Sequence, residues 1–387
     1  MAAINESHNE SISWLHSEDV FTEDTYHFLA LIVAMVGCLG LIINLLVLIL
    51  YCKFKRLQTP TNLLFFNASL SNFMFSLLAI IFTFLSCMSG SWAFSVTMCV
   101  FCGFSKNLLG IVSVVTLTVV AYERYIRVLY GQCIDFSWAK RAVSFVWVYS
   151  LAWAGFPLIG WNRYTFESHK LDCSLEWMAT GPNDTAFVLL FFLACITLPL
   201  GIMAYCYGYV LYQIQKLRSV QNIQNFQEIA ILDYEIKMAK MCLLMMLAFL
   251  IGWLPYAILS LLVASGYSTF ITPTLTIMPS LLAMSRAAYN PVIYIFTIKK
   301  FQRCLIQLVC YHFWRSLKRL NGRLAMKKVK PILGKGMSHN AGRKKFFSSS
   351  SDIFTRTTSD TGTREITESP KRRGTNVRLI QVHPLYP

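Results

Sequence analysis

The chain has 387 residues, of which 55% are hydrophobic and 14% are charged, and its formal net charge is +16. Soluble domains carry roughly 25% charged residues, so this composition excludes an ordinary soluble enzyme or binding domain. Most of the 12 cysteines fall in apolar stretches, where we expect buried thiols.

Seven apolar stretches are each long enough to cross a bilayer, which takes about 20 residues. They cover roughly residues 27–52, 60–86, 98–122, 142–162, 185–215, 241–268 and 272–298. The sequence therefore predicts an all-α membrane protein: a seven-transmembrane-helix bundle at 27–298, an N-terminal segment at 1–26 and a tail at 299–387. No catalytic cluster or metal-ligand spacing is visible, so we expect neither an enzyme nor a bound metal. The lack of an internal repeat argues against a transporter.

Charge predicts the orientation of the bundle. The first 26 residues contain six acidic residues and no Lys or Arg, whereas the loops after spans one, three and five contain several bases. Because cytoplasmic loops collect Lys and Arg, we expect an extracellular N-terminus in a multi-pass protein of the plasma membrane. Asn5 and Asn9 begin glycosylation patterns on the extracellular side.

Span three contains a lysine within the membrane. Lys106 lies seven residues after Cys99, about 10 Å along a helix at 1.5 Å per residue. It precedes Arg124 by 18 residues, or five full turns, so the two side chains project from the same side of the helix. Ionisable groups at this depth usually face the bundle interior, have a partner and serve a function. The alternative is a side chain that extends towards the membrane surface.

The cytoplasmic ends of spans three and six place charges on the same side of the membrane. Span three ends in Glu123-Arg124-Tyr125, and Glu235 begins span six. An ordinary surface ion pair is one interpretation, and an ionic contact between the two helices is the other. Within span six, Pro255 removes a backbone hydrogen bond and predicts a kink beside Trp253.

Span seven combines a proline motif with a charge. The motif runs Asn290-Pro291-Val292-Ile293-Tyr294, with Met284 six residues before it. Arg286 adds a buried positive charge, and the sequence offers it neutral acceptors at Asn72 and Asn290.

The tail carries most of the net charge. Residues 299–387 contain 20 Lys and Arg against four acids, and anionic lipid of the cytoplasmic leaflet is a nearer partner for them than nucleic acid. Residues 299–310 have apolar side chains at helical spacing, which predicts a short amphipathic eighth helix on the membrane surface, ending at Cys310. A hydroxyl-rich run at 348–363 either stays a solvated tail or becomes anionic on phosphorylation.

Together these motifs resemble the rhodopsin-like G-protein-coupled receptors. The segments that carry the resemblance are Leu117–Tyr125, Gly252–Tyr256 and Asn290–Tyr294, in that order along the chain. Within that family, Gly160-Trp161-Asn162-Arg163-Tyr164 and Ile380–Leu385 are similar to opsins, and most similar to the encephalopsin (panopsin) branch with the teleost multiple-tissue opsins.

The resemblance implies a non-visual, light-sensing receptor that couples to a heterotrimeric G protein of the inhibitory type. A receptor kinase and arrestin would act on the Ser/Thr run of the tail, and Cys310 rather than Cys304 would be palmitoylated. Cys99 and Cys173 would form a disulfide, two free thiols being the alternative. Arg124, held by Glu123 and Glu235, would be an inactive-state latch. The remaining switch residues implied are Tyr125, Tyr207, Asn290, Pro291 and Tyr294.

The chromophore position leaves two hypotheses open. Opsins hold retinal on a lysine six residues before the Asn of the proline motif, and here that residue is Met284. In the first hypothesis Met284 fills the core, and the receptor is light-independent and has lost covalent retinal. In the second, the chain is a photoreceptor whose retinal either is held without a bond or forms a Schiff base with a neutral amine of Lys106, for which Glu167 supplies the counterion. The pocket would also contain Gly110, Trp253 and Tyr256.

Overall fold

The computed structural model describes residues 20–131, 133–178, 181–220, 226–265, 267 and 271–310. The predicted glycosylation sites Asn5 and Asn9 and the hydroxyl-rich run at 348–363 lie outside these ranges. The long helices belong to one compact unit that runs to Gln307.

Seven long helices follow one another along the chain. They are α1 (Glu23–Lys53), α2 (Pro60–Met88), α3 (Val96–Tyr130), α4 (Phe136–Gly155), α5 (the consecutive segments Pro182–Phe192, Leu193–Thr197 and Leu198–Val220), α6 (Phe226–Ala264) and α7 (Pro273–Thr297). Each is apolar because a helix in lipid must satisfy its own backbone polar groups and cover them with side chains that tolerate hydrocarbon.

The length and composition of the helices agree with the predicted bundle. The first six helices are each long and apolar enough to span a membrane, and α7 qualifies together with the helix that follows it. That helix, α8 (Lys299–Cys310), is bent by 96° from α7. The predicted fold class is confirmed. Hydropathy placed the end of span three near residue 122, but α3 continues to Tyr130, because a helix can project beyond the lipid.

Capping residues fix where several helices begin. Thr59 and Thr272 accept hydrogen bonds from backbone amides of the first turns of α2 and α7, and each is followed by a proline at the first helical position. Asp135 caps α4 in the same way through the amide of Trp138. These side chains satisfy amide donors that have no partner within the helix.

Two helices contain a wide π-helical turn, at Ala79–Phe84 in α2 and Leu193–Thr197 in α5. The sequence analysis did not predict either turn, because a single extra residue leaves the apolar composition of a span unchanged. Such turns are frequent at functional sites, and Thr83 of the first turn takes part in the site described below.

The loop between α4 and α5 forms a short antiparallel hairpin. Its strands are β1 (Tyr164–Phe166) and β2 (Cys173–Leu175), and Phe166 pairs with Cys173. Cys173 is joined to Cys99 at the start of α3 by a disulfide, which confirms that prediction. The hairpin is therefore tied covalently to the end of the bundle at which α3 begins.

Helix α8 contacts the end of the bundle at which α1 and α7 finish. Arg56 donates a hydrogen bond of 2.7 Å from Nη2 to Oε1 of Gln307 and contacts Sγ of Cys304 at 3.0 Å. The ring of Phe301 is fully buried beside the ring of Tyr294. Cys304 is buried whereas Cys310 is exposed, so the geometry suits the choice of Cys310 for palmitoylation, which stays a prediction.

Candidate ligand site and signalling switch

A small cavity of about 90 Å³ lies beneath the hairpin, between α3, α6 and α7. Five of the predicted pocket residues line it: Lys106, Glu167, Trp253, Tyr256 and Met284. Gly110, the sixth, lies against the side chain of Arg286, which lines the same cavity. The structure thus brings together residues of three helices and one loop that the sequence placed far apart.

Lys106 has a complete set of hydrogen-bond acceptors. Its Nζ atom lies 2.6 and 2.8 Å from the two carboxylate oxygens of Asp172 and 2.7 Å from Oγ1 of Thr83. An ammonium group has three donors, so each can be matched with an acceptor. Lys106 and Asp172 are both largely buried. The contact is therefore a desolvated ion pair that keeps the lysine in its charged form.

This pairing corrects the predicted counterion. Glu167 was expected to face Lys106, but the structure places Asp172 there. The reason is covalent: Asp172 directly precedes Cys173, and the disulfide to Cys99 holds that part of the loop above α3. The expected neutral amine is also contradicted, because the ion pair favours the ammonium. An acid next to the loop cysteine was the signal that sequence reasoning missed.

Glu167 instead links the hairpin to α6. Its Oε1 accepts a hydrogen bond of 3.2 Å from the Tyr256 hydroxyl, and its Oε2 accepts one of 3.2 Å from the indole N–H of Trp177. Burial raises the pKa of the Glu167 carboxyl to about 7 because desolvation penalises the charged form. Burial likewise lowers the pKa of His169, in the same loop, to about 4.

Arg286 occupies the inner end of the cavity. Its guanidinium carbon lies 4.9 Å from the ring centroid of Phe75 and 4.8 Å from that of Trp253. The side chain is 3% exposed, and its Nη1 atom has no hydrogen-bond partner. The sequence analysis had offered Asn72 and Asn290 as neutral acceptors, but the structure shows two aromatic faces instead.

Met284, at the position of the opsin lysine, is a buried core residue. It packs in an apolar cluster with residues of α1, α2, α3 and α7, among them Leu29, Phe75, Leu109 and Ala287. A methionine fills such irregular spaces well and supplies no amine.

Near the C-terminal end of α3, Glu123 is the centre of a buried ion-pair network. Its Oε2 lies 2.8 Å from Nε of Arg124, an ion pair without hydrogen-bond alignment, and its Oε1 lies 2.6 Å from Nη2 of Arg127. The Thr61 hydroxyl donates a third contact of 3.2 Å. Arg127 and Thr61 were not identified from the sequence, since a base and a hydroxyl at helix ends are common.

The remaining predicted switch residues lie in α3, α5 and α7. Tyr125 contacts the rings of Tyr205 and Tyr209, and Tyr207 and Asn290 are buried. The Tyr294 hydroxyl is hydrogen-bonded to Ser69 of α2, and Pro291 lies inside α7. Glu235 lies in α6, but its side chain is outside the described part of the structure. The latch between Arg124 and Glu235 therefore stays a prediction.

Comparisons with known proteins agree with this arrangement. Residues 43–294 match the model of the family described as 7 transmembrane receptor (rhodopsin family). The chain is 44% identical to mouse Opsin-3 over 95% of its length and 92% of that protein, and 30% identical to pigeon pinopsin over 74% of its length and 81% of that protein. The crystal structure of squid rhodopsin superposes with a TM-score of 0.71 at 26% identity, covering 77% of this chain and 89% of that one.

Substitution of Gly110 tests how tightly Arg286 is held. A Cβ atom at Gly110 would lie 2.5 Å from Nη2 of Arg286, and the two aromatic rings limit how far the guanidinium can move. We expect Gly110→Ala to lower the free energy of unfolding by about 1–3 kcal/mol through overpacking. In an Arg286→Ala background, Gly110→Ala should instead stabilise, by up to about 1 kcal/mol, because alanine favours a helix. Equal effects in both backgrounds, from thermal unfolding in detergent, would contradict the contact.

Substitution of Glu167 tests the buried carboxyl. Its pKa is raised from 4.5 to about 7, so the folded state binds a proton that the unfolded state releases across this range. Stability should therefore fall as the pH rises from about 4.5 to 7, by at most about 1.4 kcal/mol per pH unit. Relative to wild type, Glu167→Gln should lose this dependence.

The comparison isolates Glu167, because wild type and variant share the opposite contribution of His169, which loses stability as the pH falls. Glu23→Gln makes the same charge change at a side chain that is 91% exposed, and should keep the wild-type profile. Parallel unfolding profiles for wild type and Glu167→Gln would refute the assignment.

Proposed function

Since the chain belongs to the rhodopsin family of seven-transmembrane receptors and is an opsin-type G-protein-coupled receptor, we propose that it signals to its G protein without a retinal Schiff base. The predicted resemblance to opsins is confirmed. The relatives of this chain include the non-visual opsins Opsin-3, pinopsin and melanopsin. The proposal concerns the retinal Schiff base, for which the chain has Met284 at the position of the opsin lysine.

The observation that carries the proposal is the state of Lys106. Among the described residues it is the only lysine that lines the cavity. A Schiff base requires an uncharged amine as nucleophile, whereas the ion pair with Asp172 and the contact with Thr83 stabilise the ammonium. Breaking this pair to form the bond would leave a buried carboxylate without its partner, which is costly.

The size and lining of the cavity support the same conclusion. Opsins as a family bind retinal, but this cavity measures about 90 Å³, below the roughly 300 Å³ at which pockets for drug-sized ligands begin. The guanidinium of Arg286 lies against Trp253 and Phe75 and takes up space at the inner end. The residues present therefore do not fit retinal.

A second candidate function is a photoreceptor with retinal relocated to Lys106. One observation favours it: Lys106 already has a buried carboxylate beside it, and a protonated Schiff base at this position would need such a counterion. The argument against it is that Lys106 and Arg286 would both have to move before a chromophore could enter.

The signalling output would follow the family. The G protein would be of the inhibitory type, and a receptor kinase and arrestin would act on the Ser/Thr run at 348–363. The receptor would lie in the plasma membrane with its N-terminus outside, glycosylated at Asn5 and Asn9. The buried cluster around Glu123, Arg124 and Arg127 supports the cytoplasmic switch.

Reconstitution with 11-cis-retinal distinguishes the two candidates. Purified wild type should show no visible absorbance band and no adduct after acid trapping, because no free amine faces the cavity. The double variant Met284→Lys/Arg286→Ser should gain a visible band, because it restores an amine at the opsin position and removes the guanidinium.

The single variants define the contrary results. A band in wild type that disappears in Lys106→Ala would establish the relocated Schiff base and overturn the proposal. A band that persists in Lys106→Ala would show retinal held without Lys106 and would contradict the cavity argument. Arg163→Gln, at an exposed side chain of the extracellular loop, is the matched control for loss of a positive charge.

The predicted latch is tested by Glu235→Gln. Loss of this carboxylate removes one proposed acceptor for Arg124, so basal nucleotide exchange on an inhibitory G protein should rise several-fold at equal surface expression. Glu176→Gln, which removes a carboxylate on the extracellular side, should leave the rate unchanged. An unaltered basal rate in Glu235→Gln would refute the latch.

A further inference from the structure

Arg286 is a buried cation for which the described residues supply no counterion. They offer its guanidinium neither a salt bridge nor a hydrogen bond, and Nη1 has no acceptor. The two carboxylates of the cavity are engaged elsewhere: Asp172 binds Lys106, and Glu167 accepts from Trp177 and Tyr256. Arginine stays protonated in proteins, so the charge must be compensated in another way.

The two aromatic rings compensate only part of the charge. Phe75 and Trp253 lie against the guanidinium carbon at 4.9 and 4.8 Å, which is a favourable cation–π geometry. Ring faces, however, do not accept the N–H donors that point outward in the guanidinium plane. Within the described part of the chain, Nη1 therefore has no acceptor in that plane.

The cavity supplies room for that acceptor. Its volume of about 90 Å³ exceeds the roughly 10–15 Å³ that a cavity needs to hold one water molecule. Trp253 also lines this cavity, and its buried Nε1 atom likewise has no acceptor. The cavity is thus lined by a guanidinium without a counterion, beside the Lys106–Asp172 ion pair and the hydrogen-bonded Glu167.

We propose that this cavity binds a small monovalent anion, chloride or a short-chain carboxylate, on the guanidinium of Arg286. The inference rests on the proposed function, because retinal in the cavity would leave no space for the anion. Gly110 is part of the site, since its lack of a side chain leaves room for the guanidinium. Charge-assisted hydrogen bonds from arginine to an anion are among the strongest available.

Anion exchange on the full-length receptor tests the site. The receptor is purified in detergent without retinal and equilibrated in sodium gluconate, whose anion is too large for the cavity. Chloride or acetate then replaces gluconate stepwise at constant ionic strength, while thermal unfolding is followed by tryptophan fluorescence. Because a ligand that binds the folded state stabilises it by mass action, the unfolding midpoint should rise with the logarithm of the anion concentration.

Variants separate binding at Arg286 from general salt effects. Arg286→Met should abolish the anion dependence, and Arg286→Lys, which keeps the charge but loses the planar donors, should need at least tenfold more anion for the same shift. Arg163→Gln removes a charge at an exposed site and should respond like wild type. If Arg286→Met does not fold, Arg286→Lys still decides the question.

The outcomes are distinct. A response to chloride alone or to acetate alone identifies the source of the anion, and a response to both shows a site that accepts either. No response beyond gluconate, or a response that survives in both Arg286 variants, overturns the site. A visible band on adding retinal would contradict the proposed function, but it is recorded in a separate sample and leaves the anion titration interpretable.

Discussion

The disulfide between Cys99 and Cys173 is the constraint on which the half of the receptor that contains the cavity depends. It holds the hairpin against the start of α3 and so brings Asp172, the residue before Cys173, within hydrogen-bond distance of Lys106. One covalent bond thereby decides which carboxylate enters the bundle. It also leaves Glu167 to contact α6. The hairpin is therefore joined to α3 by a disulfide and an ion pair, and to α6 by a hydrogen bond.

Two buried cations in this bundle show contrasting solutions to the same physical problem. Lys106 is neutralised within the protein, where every donor has an acceptor and the pair is inert. Arg286 lies against the ring faces of Phe75 and Trp253, and its Nη1 donor has no hydrogen-bond acceptor. Burying a cation is costly unless it has a partner. The first cation is the basis on which we propose signalling without a Schiff base, and the second is the group on which we propose that an anion binds.

Hydropathy and basic loops were sufficient to predict the fold, because lipid imposes long apolar helices with few alternatives. The disulfide and most pocket residues followed from the family resemblance. The partner of Lys106 did not, because the choice between Asp172 and Glu167 depends on how a loop folds over the bundle. Nor could the sequence show that Arg286 lies between aromatic rings, since that depends on side-chain packing across three helices.

The wide turn at Ala79–Phe84 has a further consequence for the buried lysine. A π-helical turn accommodates one residue more than an α-helical turn, so α2 carries a surplus residue beside the pocket. Thr83 lies in this turn and supplies one of the three acceptors of Lys106. The geometry of the wide turn therefore sets how completely the buried lysine is hydrogen-bonded.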